Sequence, residues 1–272
     1  MNAQSTRTPY ETPSLSVAEL TSSLYDVTKK LSVANKELLV LHQEQNSLLT
    51  NLSHDLRSPL TAIQGAVEYL IAFNDLSHND ILSYLQLIQL KSKIVEKLID
   101  DIFLLSQIES KSWSFNYEPT NIGMFLEEFF FTCQCDIKYS KRNLVLEVSP
   151  QFPYEAMVDT TLLYRLLDNL ITNALKYSSD DTTIIVGAKL QSNHTLLIYI
   201  QDFGCGIASE YLTKVFERSF TVSSARTPGP GSSNGLGLSI AKSIVAQHNG
   251  EVWCESKLGS GSTFYFTLPI HI

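Results

Sequence analysis

The sequence predicts an α plus α/β protein, in which a long antiparallel helical hairpin forms a dimeric four-helix bundle and a two-layer α/β sandwich follows. Three observations predict it. Apolar residues fall in 4-3 alternation at Leu20, Leu24, Val27, Leu31, Ala34, Leu38, Leu41, Leu48 and Leu52, with Gln45 the only polar member of that seam. A second amphipathic stretch follows a short polar break. Beyond Trp113 the pattern turns to short apolar strand-like runs mixed with helical ones and punctuated by glycines.

The 272 residues are long for one domain, and the change of pattern suggests two folded parts with a leading tail. The expected division is a disordered Ser/Thr/Pro-rich tail at 1–17, a coiled-coil helix at 18–47, a helical dimerisation region at 48–112 and an α/β domain at 113–272. A formal charge of -8 leaves no electrostatic footprint for nucleic acid, so none is expected as a partner. A phosphate-bearing ligand would have to be held by local groups. The four cysteines, Cys133, Cys135, Cys205 and Cys254, are too few and too irregularly spaced for a disulfide framework and read as small hydrophobic residues. No apolar run approaches the roughly 18 residues of a membrane span, and no signal-peptide core opens the chain, so a cytoplasmic location is expected. That is compatible with the chain being the inner portion of a longer receptor.

The first helix is expected over about 18–74. Its next seam position after Leu52 would be Asp55, where the heptad fails; it resumes one residue late as Leu56, Leu60, Ile63, Val67 and Leu70, a phase slip that locally unwinds a coiled coil. His54 is two residues from both Leu52 and Leu56, roughly 200° around the helix from either, and should face outward. Pro59 cannot donate to the carbonyl of Asp55 and is expected to bend the helix just below the histidine. In the break at 74–80, Ser77 or Asn79 can cap a second helix that runs to about 110, with Ile81, Leu85, Ile88, Val95, Leu98, Ile102 and Leu105 on one face. Two such helices are too thin to bury both apolar stripes, which makes a homodimer the natural solution.

In the second part, helices are expected near 121–140, 160–177 and 235–248, and strands at Asn143–Val148, Thr183–Leu190, Thr195–Gln201, Glu251–Ser256 and Ser262–Leu268. There are helices enough to cover one sheet face only. Among the histidines, His42, His78, His194, His248 and His271 read as ordinary polar positions.

Three constellations point to a nucleotide. On the helix from Leu162, spacing of i, i+4 and i+3 gathers Asn169, Asn173, Lys176 and Tyr177 into one polar stripe. An amide oxygen at Asn173 suits Mg²⁺, which keeps few protein ligands; Lys176 supplies a phosphate countercharge and Tyr177 a face for a base. Asp202-Phe-Gly204-Cys-Gly206 follows an apolar strand, where glycines permit close backbone approach and a carboxylate can accept from an exocyclic amine. Gly235-Leu236-Gly237-Leu238 opens a helix, whose free N–H groups and dipole attract anions. Each alone is a common turn or helix start; their joint occurrence is specific.

The series Ser53-His-Asp-Leu-Arg-Ser-Pro-Leu60, Asn169-Leu-Ile-Thr-Asn-Ala-Leu-Lys-Tyr-Ser178, Asp202-Phe-Gly-Cys-Gly206, Val215-Phe-Glu-Arg218 and Gly235-Leu-Gly-Leu238 resembles the H, N, G1, F and G2 boxes of sensor histidine kinases, over about 48–272. The resemblance implies that 48–112 is a dimerisation and histidine-phosphotransfer domain, that 18–47 is a signalling helix, and that 113–272 is an ATP-binding domain of the GHKL (Bergerat) type. It implies an ATP-dependent autokinase with Mg²⁺ as cofactor, partnered by the receiver domain of a response regulator, to whose aspartate the phosphoryl group passes. Carried across, His54 resembles the phosphoacceptor and Asp55 the acid that orients its ring and accepts its proton. Asn173 would bind Mg²⁺ with Asn169 nearby, Lys176 would touch phosphate, Tyr177 would lie along adenine, and Asp202, with Gly204 and Gly206, would read its amino group. Phe216 would pin the lid.

Three positions depart from the family pattern. Ser219, Phe220 and Thr221 stand where Phe-Tyr-Arg is common, leaving Arg218 or Arg226 to replace the lid arginine. Ser58 stands where Thr or Asn orients water for response-regulator phosphatase activity, and keeps a hydroxyl. Phe203 replaces a small or polar residue. Thr221 motivates an alternative reading, a catalytically weak, nucleotide-binding dimeric adaptor or scaffold of the same fold; an ATPase of chaperone or repair type is disfavoured because it has no use for an outward histidine at a phase slip.

Overall fold

The structure, a computed structural model, describes residues 17–73, 75–110, 113–149, 152–192, 194–218, 220 and 235–270, with backbone alone for Gln45 and several other positions of the first helix. The expected tail before Val17, the seam role of Gln45, and the parts assigned to Ser219, Thr221, Arg226 and His271 lie outside the described side chains. The chain divides into units at 1–50 and 51–272. Residues 17–50 of the first are helical, and the seam residues Leu24, Val27, Leu31 and Leu38 are exposed there, a stripe that a second helix would cover.

Helix α1 is Val17–Ala72 and runs through Pro59 as one helix; Pro59 withholds one N–H from the ladder, at the carbonyl of Asp55. Helix α2 is His78–Glu109, and of the two expected caps it is Ser77 whose hydroxyl accepts from the N–H of Asp80. Across the hairpin Tyr69 stacks on Tyr84, ring centroids 4.6 Å apart. The stripe buried on α1 within the second unit is Leu52, Pro59 and Ala66, a heptad apart, while the expected seam residues Leu56, Ile63 and Leu70 are half-buried and Leu60 and Val67 stay exposed. On α2 the buried stripe is Leu98, Asp101, Leu105 and Ile108. Asp101 therefore takes the place expected for Ile102, because α2 packs on a helix of the following domain and an arginine from that domain meets the carboxylate. Ile81, Leu85, Ile99 and Phe103 remain exposed.

The α/β part opens with β1, Glu118–Asn121, and α3, Ile122–Cys135, whose first turn is capped by Asn121. Strands β2 (Asn143–Glu147) and β3 (Glu155–Val158) precede α4, Thr160–Tyr177, capped by the carboxylate of Asp159. After β4 (Thr183–Ser192) and β5 (Thr195–Asp202) come α5 (Gly237–Gln247), β6 (Val252–Lys257) and β7 (Gly261–Pro269). The main sheet has the order β2-β4-β5-β7-β6, parallel between β2 and β4 and antiparallel elsewhere. A two-stranded sheet pairs β1 with β3 antiparallel. The sequence reading missed it: four residues each, with Pro119 in one, carry too little alternation to register as strands.

The three helices lie on one face of the main sheet, and the core forms between them. Leu163, Leu166, Leu167, Leu170 and Ile171 of α4 and Ile240, Ile244 and Val245 of α5 meet Ile184, Val186, Leu196, Ile198, Ile200, Phe264, Phe266 and Leu268 of the sheet, all buried. Period-two alternation sends Tyr199, Tyr265 and Trp253 to the opposite face. Helices α4 and α5 are antiparallel neighbours: His248, at the carboxyl end of α5, accepts at Nε2 from the N–H of Asp159 (3.0 Å), at the start of α4. Its Nδ1 lies 2.8 Å from the carbonyl of Ile244, so the proton sits on Nδ1. The reading of His248 as an ordinary polar position is thus corrected. It is a core histidine, and burial holds its pKa below the usual 6.5.

Candidate functional site

The phase slip does what the spacing predicts at His54. Its side chain is 82% exposed, with Nδ1 3.6 Å from a carboxylate oxygen of Asp55. An exposed imidazole beside an acid is a nucleophile with a proton acceptor at hand. Ser58, one turn on, is exposed as well.

The second centre lies where the carboxyl half of α4 meets the amino end of α5. The polar stripe forms as expected, but its members differ in depth: Asn169 is 4% exposed, whereas Asn173, Lys176 and Tyr177 are half-buried. The Lys176 ammonium sits 4.8 Å from the centre of the Tyr177 ring. The amide oxygen of Asn169 lies 3.5 Å from where a Cβ on Gly237 would stand, and its buried Nδ2 has no hydrogen-bond partner among the described residues. A buried donor in that condition costs about 1–3 kcal/mol unless a ligand accepts from it.

The turn at 202–206 is clamped from both sides. The N–H of Cys205 donates to the carbonyl of Tyr177 (3.1 Å), and a Cβ on Gly204 would fall 2.1 Å from that oxygen. On the other side the N–H of Gly259 donates to the carbonyl of Cys205 (2.7 Å), and Gly206, at φ +67°, has the carbonyl of Lys257 where a Cβ would go. Asp202 is buried at the end of β5, and its carboxylate accepts from the N–H groups of Gly204 and Ser262. Burial raises its pKa above the usual carboxylate value, against those two donors. The Gly259–Ser262 turn is thus a part of the site that sequence reasoning passed over; its signal was a second glycine pair, Gly259 and Gly261.

Phe216 is buried edge-on against Phe264, ring centroids 6.2 Å apart, so this motif is anchored in the core, while Arg218 is exposed. Gly235, at φ +67°, turns the chain into α5, and buried Leu236 precedes it. Among the described residues no side chain caps α5; the hydroxyl of Ser239 donates to the carbonyl of Leu236 instead. Gly237 and Leu238 therefore open a helix whose amino end offers N–H groups to an anion. Along the carboxyl half of α4, the structure brings Asn169 beside Gly237 and Tyr177 beside Gly204 and Asp202. An orphaned amide, a desolvated carboxylate, glycine turns without room for side chains and an uncapped helix start fit an adenine nucleotide.

Among the described residues no helix is long and apolar enough to cross a membrane. Residues 44–111 match the family model of the His Kinase A (phospho-acceptor) domain. Residues 158–272 match that of the histidine kinase-, DNA gyrase B- and HSP90-like ATPase. The sensor histidine kinase WalK of Bacillus subtilis (strain 168) is 33% identical over 256 residues, covering 92% of this chain and 39% of the relative. The sensor protein kinase WalK of a Staphylococcus epidermidis strain is 30% identical over 250 residues, with the same two coverages, 92% and 39%. The chain thus spans about two fifths of the length of the curated relatives it matches. Among solved structures, Acinetobacter baumannii histidine kinase AdeS superposes with a TM-score of 0.60 at 21% identity, covering 80% of this chain and 98% of that one. Histidine kinase ThkA, solved in complex with response regulator protein TrrA, gives a TM-score of 0.66 at 19% identity, over 83% of this chain and 61% of that one. At these identities the likeness is one of fold.

Proposed function

From the premise that the chain belongs to the sensor histidine kinases, we propose that it is an ATP-dependent histidine autokinase that phosphorylates His54 and hands the phosphoryl group to an aspartate of a response regulator. The observation that carries this reading is the 82% exposure of His54 with Asp55 beside it, in a chain that also holds the Asn169–Asp202 constellation. A ring nitrogen of His54 forms the new P–N bond as the bond between the γ-phosphorus and the departing ADP oxygen breaks, and Asp55 takes the ring proton. Asn169 and Lys176 bind the phosphates, Tyr177, Asp202, Gly204 and Gly206 hold the adenine, and Gly235, Leu236, Gly237 and Leu238 present N–H groups to the phosphate chain. Phe216 anchors the F motif in the core, and Arg218 is its cation. Asn173 is the protein ligand for Mg²⁺, which when bound neutralises charge on the transferring phosphoryl group. The hydroxyl of Ser58 orients water when the response regulator is dephosphorylated.

The working form is a homodimer on the cytoplasmic side, divided into a coiled-coil signalling helix at 18–47, a dimerisation and phosphotransfer domain at 48–112 and an ATP-binding domain at 113–272. Exposed Leu60, Val67, Ile81, Leu85, Ile99 and Phe103 support the dimer, since together they would leave a large apolar hairpin face in water. Incubation with ATP labelled at the γ-phosphate should give an acid-labile, alkali-stable phosphoprotein that vanishes in His54→Ala. Label that persists in that variant refutes the reading.

A further inference from the structure

The α/β domain is tied to the hairpin at two places, and the spacing of the ties has a geometric consequence. Arg165 of α4 forms an ion pair with Asp101 of α2, which is only 4% exposed. Seven residues further along α2, the carbonyl of Ile108 accepts from the Gln247 amide at the end of α5 (3.3 Å). On α2 these ties are roughly 10 Å apart; on the α4–α5 pair the offset from Asp159, which sits beside His248, to Arg165 is roughly 9 Å. Equal spans mean that α4 and α5 lie along α2 rather than across it, with α4 running opposite to α2 and α5 running in the same direction as α2.

That alignment sets a height. Gly237 is ten residues before Gln247, roughly 15 Å along α5, which brings the nucleotide-binding end level with Leu98 of α2. On the hairpin, the Tyr69–Tyr84 stack fixes the register. Fifteen residues back from Tyr69 is His54, and fifteen on from Tyr84 is Ile99. The nucleotide end and His54 therefore stand within about one residue of the same height. A two-fold axis along the bundle would keep the two histidines of a dimer at that same level.

We propose that the Asp101–Arg165 ion pair is a positioning element for phosphoryl transfer, setting the height at which the nucleotide domain rests on the hairpin so that it meets His54. An ion pair whose carboxylate is buried suits this task because it is unforgiving: a slide of one turn would leave that carboxylate without its partner. Gln247 adds a second tie at Ile108, in the last turn of α2, where the carbonyls lack a partner within the helix. Arg165 stands one helical turn before Asn169, but its guanidinium is turned onto Asp101 of α2, so it acts on reach and not on affinity.

The proposal rests on His54 being the phosphoacceptor, and the wild-type protein tests that part by itself. The full chain is labelled at saturating Mg·ATP, alongside nucleotide titrations, as wild type, Arg165→Met, Arg165→Lys and the double variant Asp101→Asn/Arg165→Met. Both Arg165→Met proteins should label at least about tenfold more slowly with nucleotide Kd changed by no more than about twofold, and Arg165→Lys should keep most of the rate. The double variant removes the buried carboxylate together with its partner charge, so it should remain well folded and still label slowly. Wild-type rates in Arg165→Met, recovery in the double variant, or a loss of rate matched by a loss of affinity would each overturn the proposal. A wild-type chain unlabelled at His54 would instead remove the functional reading, and the positioning role with it.

Discussion

The ring of Tyr199 lies over Gly187, its direct cross-strand neighbour, with Cζ only 2.2 Å from where a Cβ on that glycine would stand. Its hydroxyl thereby crosses β4 and donates to the Glu147 carboxylate on β2 (2.6 Å). Glu147, Gly187, Tyr199, Tyr265 and Trp253 occupy one row across all five strands, with Trp253 stacked on Tyr265 at 5.2 Å. The glycine gives up its own packing so that an aromatic side chain can cover the strand.

Gly187→Ala should therefore push the Tyr199 ring aside and break its bond to Glu147, costing about 1–3 kcal/mol in urea unfolding. Burial first, and then Glu147, push the Tyr199 phenol up to about 12 from 10.0. The folded chain keeps that proton where the unfolded chain loses it, so wild-type stability declines between those two values as pH rises. In Gly187→Ala the phenol should ionise nearer 10, which phenolate absorbance would register.

Asn169→Leu separates folding from binding. Its Nδ2 has no partner among the described residues, so an apolar side chain of similar size should leave the unliganded domain equally stable or up to about 1 kcal/mol more stable. Nucleotide affinity should fall at least about tenfold, the worth of one well-placed polar contact. Denaturant unfolding without nucleotide and an ATP titration check the two halves. A variant that unfolds more easily than wild type would mean that the amide serves the fold.

His248 makes stability fall in mild acid. Its folded pKa is held below the usual 6.5 by burial, so as pH drops below that value the unfolded chain takes up a proton that the folded chain refuses. Stability should be fully present above about 6.5 and decline below it until the folded pKa is reached. Thermal unfolding from pH 7.5 to 5 should show a slope that is shallower in His248→Gln, where no ring titrates.

Asp202→Asn should loosen the nucleotide while helping the empty fold. The buried carboxyl has a raised pKa, so the folded state favours its protonated form, and that advantage is lost as pH rises through the folded value. At neutral pH the ionised group weakens the fold, and an amide of the same shape should raise the melting temperature while still accepting from Gly204. Affinity for ATP should drop about tenfold, because the amide is a poorer acceptor for an exocyclic amine. An unchanged affinity would remove Asp202 from the adenine site.

Local periodicity carries far in this chain. The outward turn of His54, the Ser77 cap, the polar stripe on α4 and the five strands of the main sheet all follow from spacing of two to seven residues, which sets direction along a helix or strand before any partner arrives. What spacing cannot carry is which distant segment covers a given face. Asp101 is buried only because Arg165, far along the chain, comes to meet it, and His248 only because the start of α4 supplies an N–H. The clamp on the 202–206 turn needs Tyr177 and Gly259 at once, and the β1–β3 pair needs two weak strands to find each other. By itself the sequence determined which side chains could do chemistry and which way they point from their own helix or strand. The tertiary structure decided which of them lost water, since desolvation depends on neighbours that no local pattern encodes.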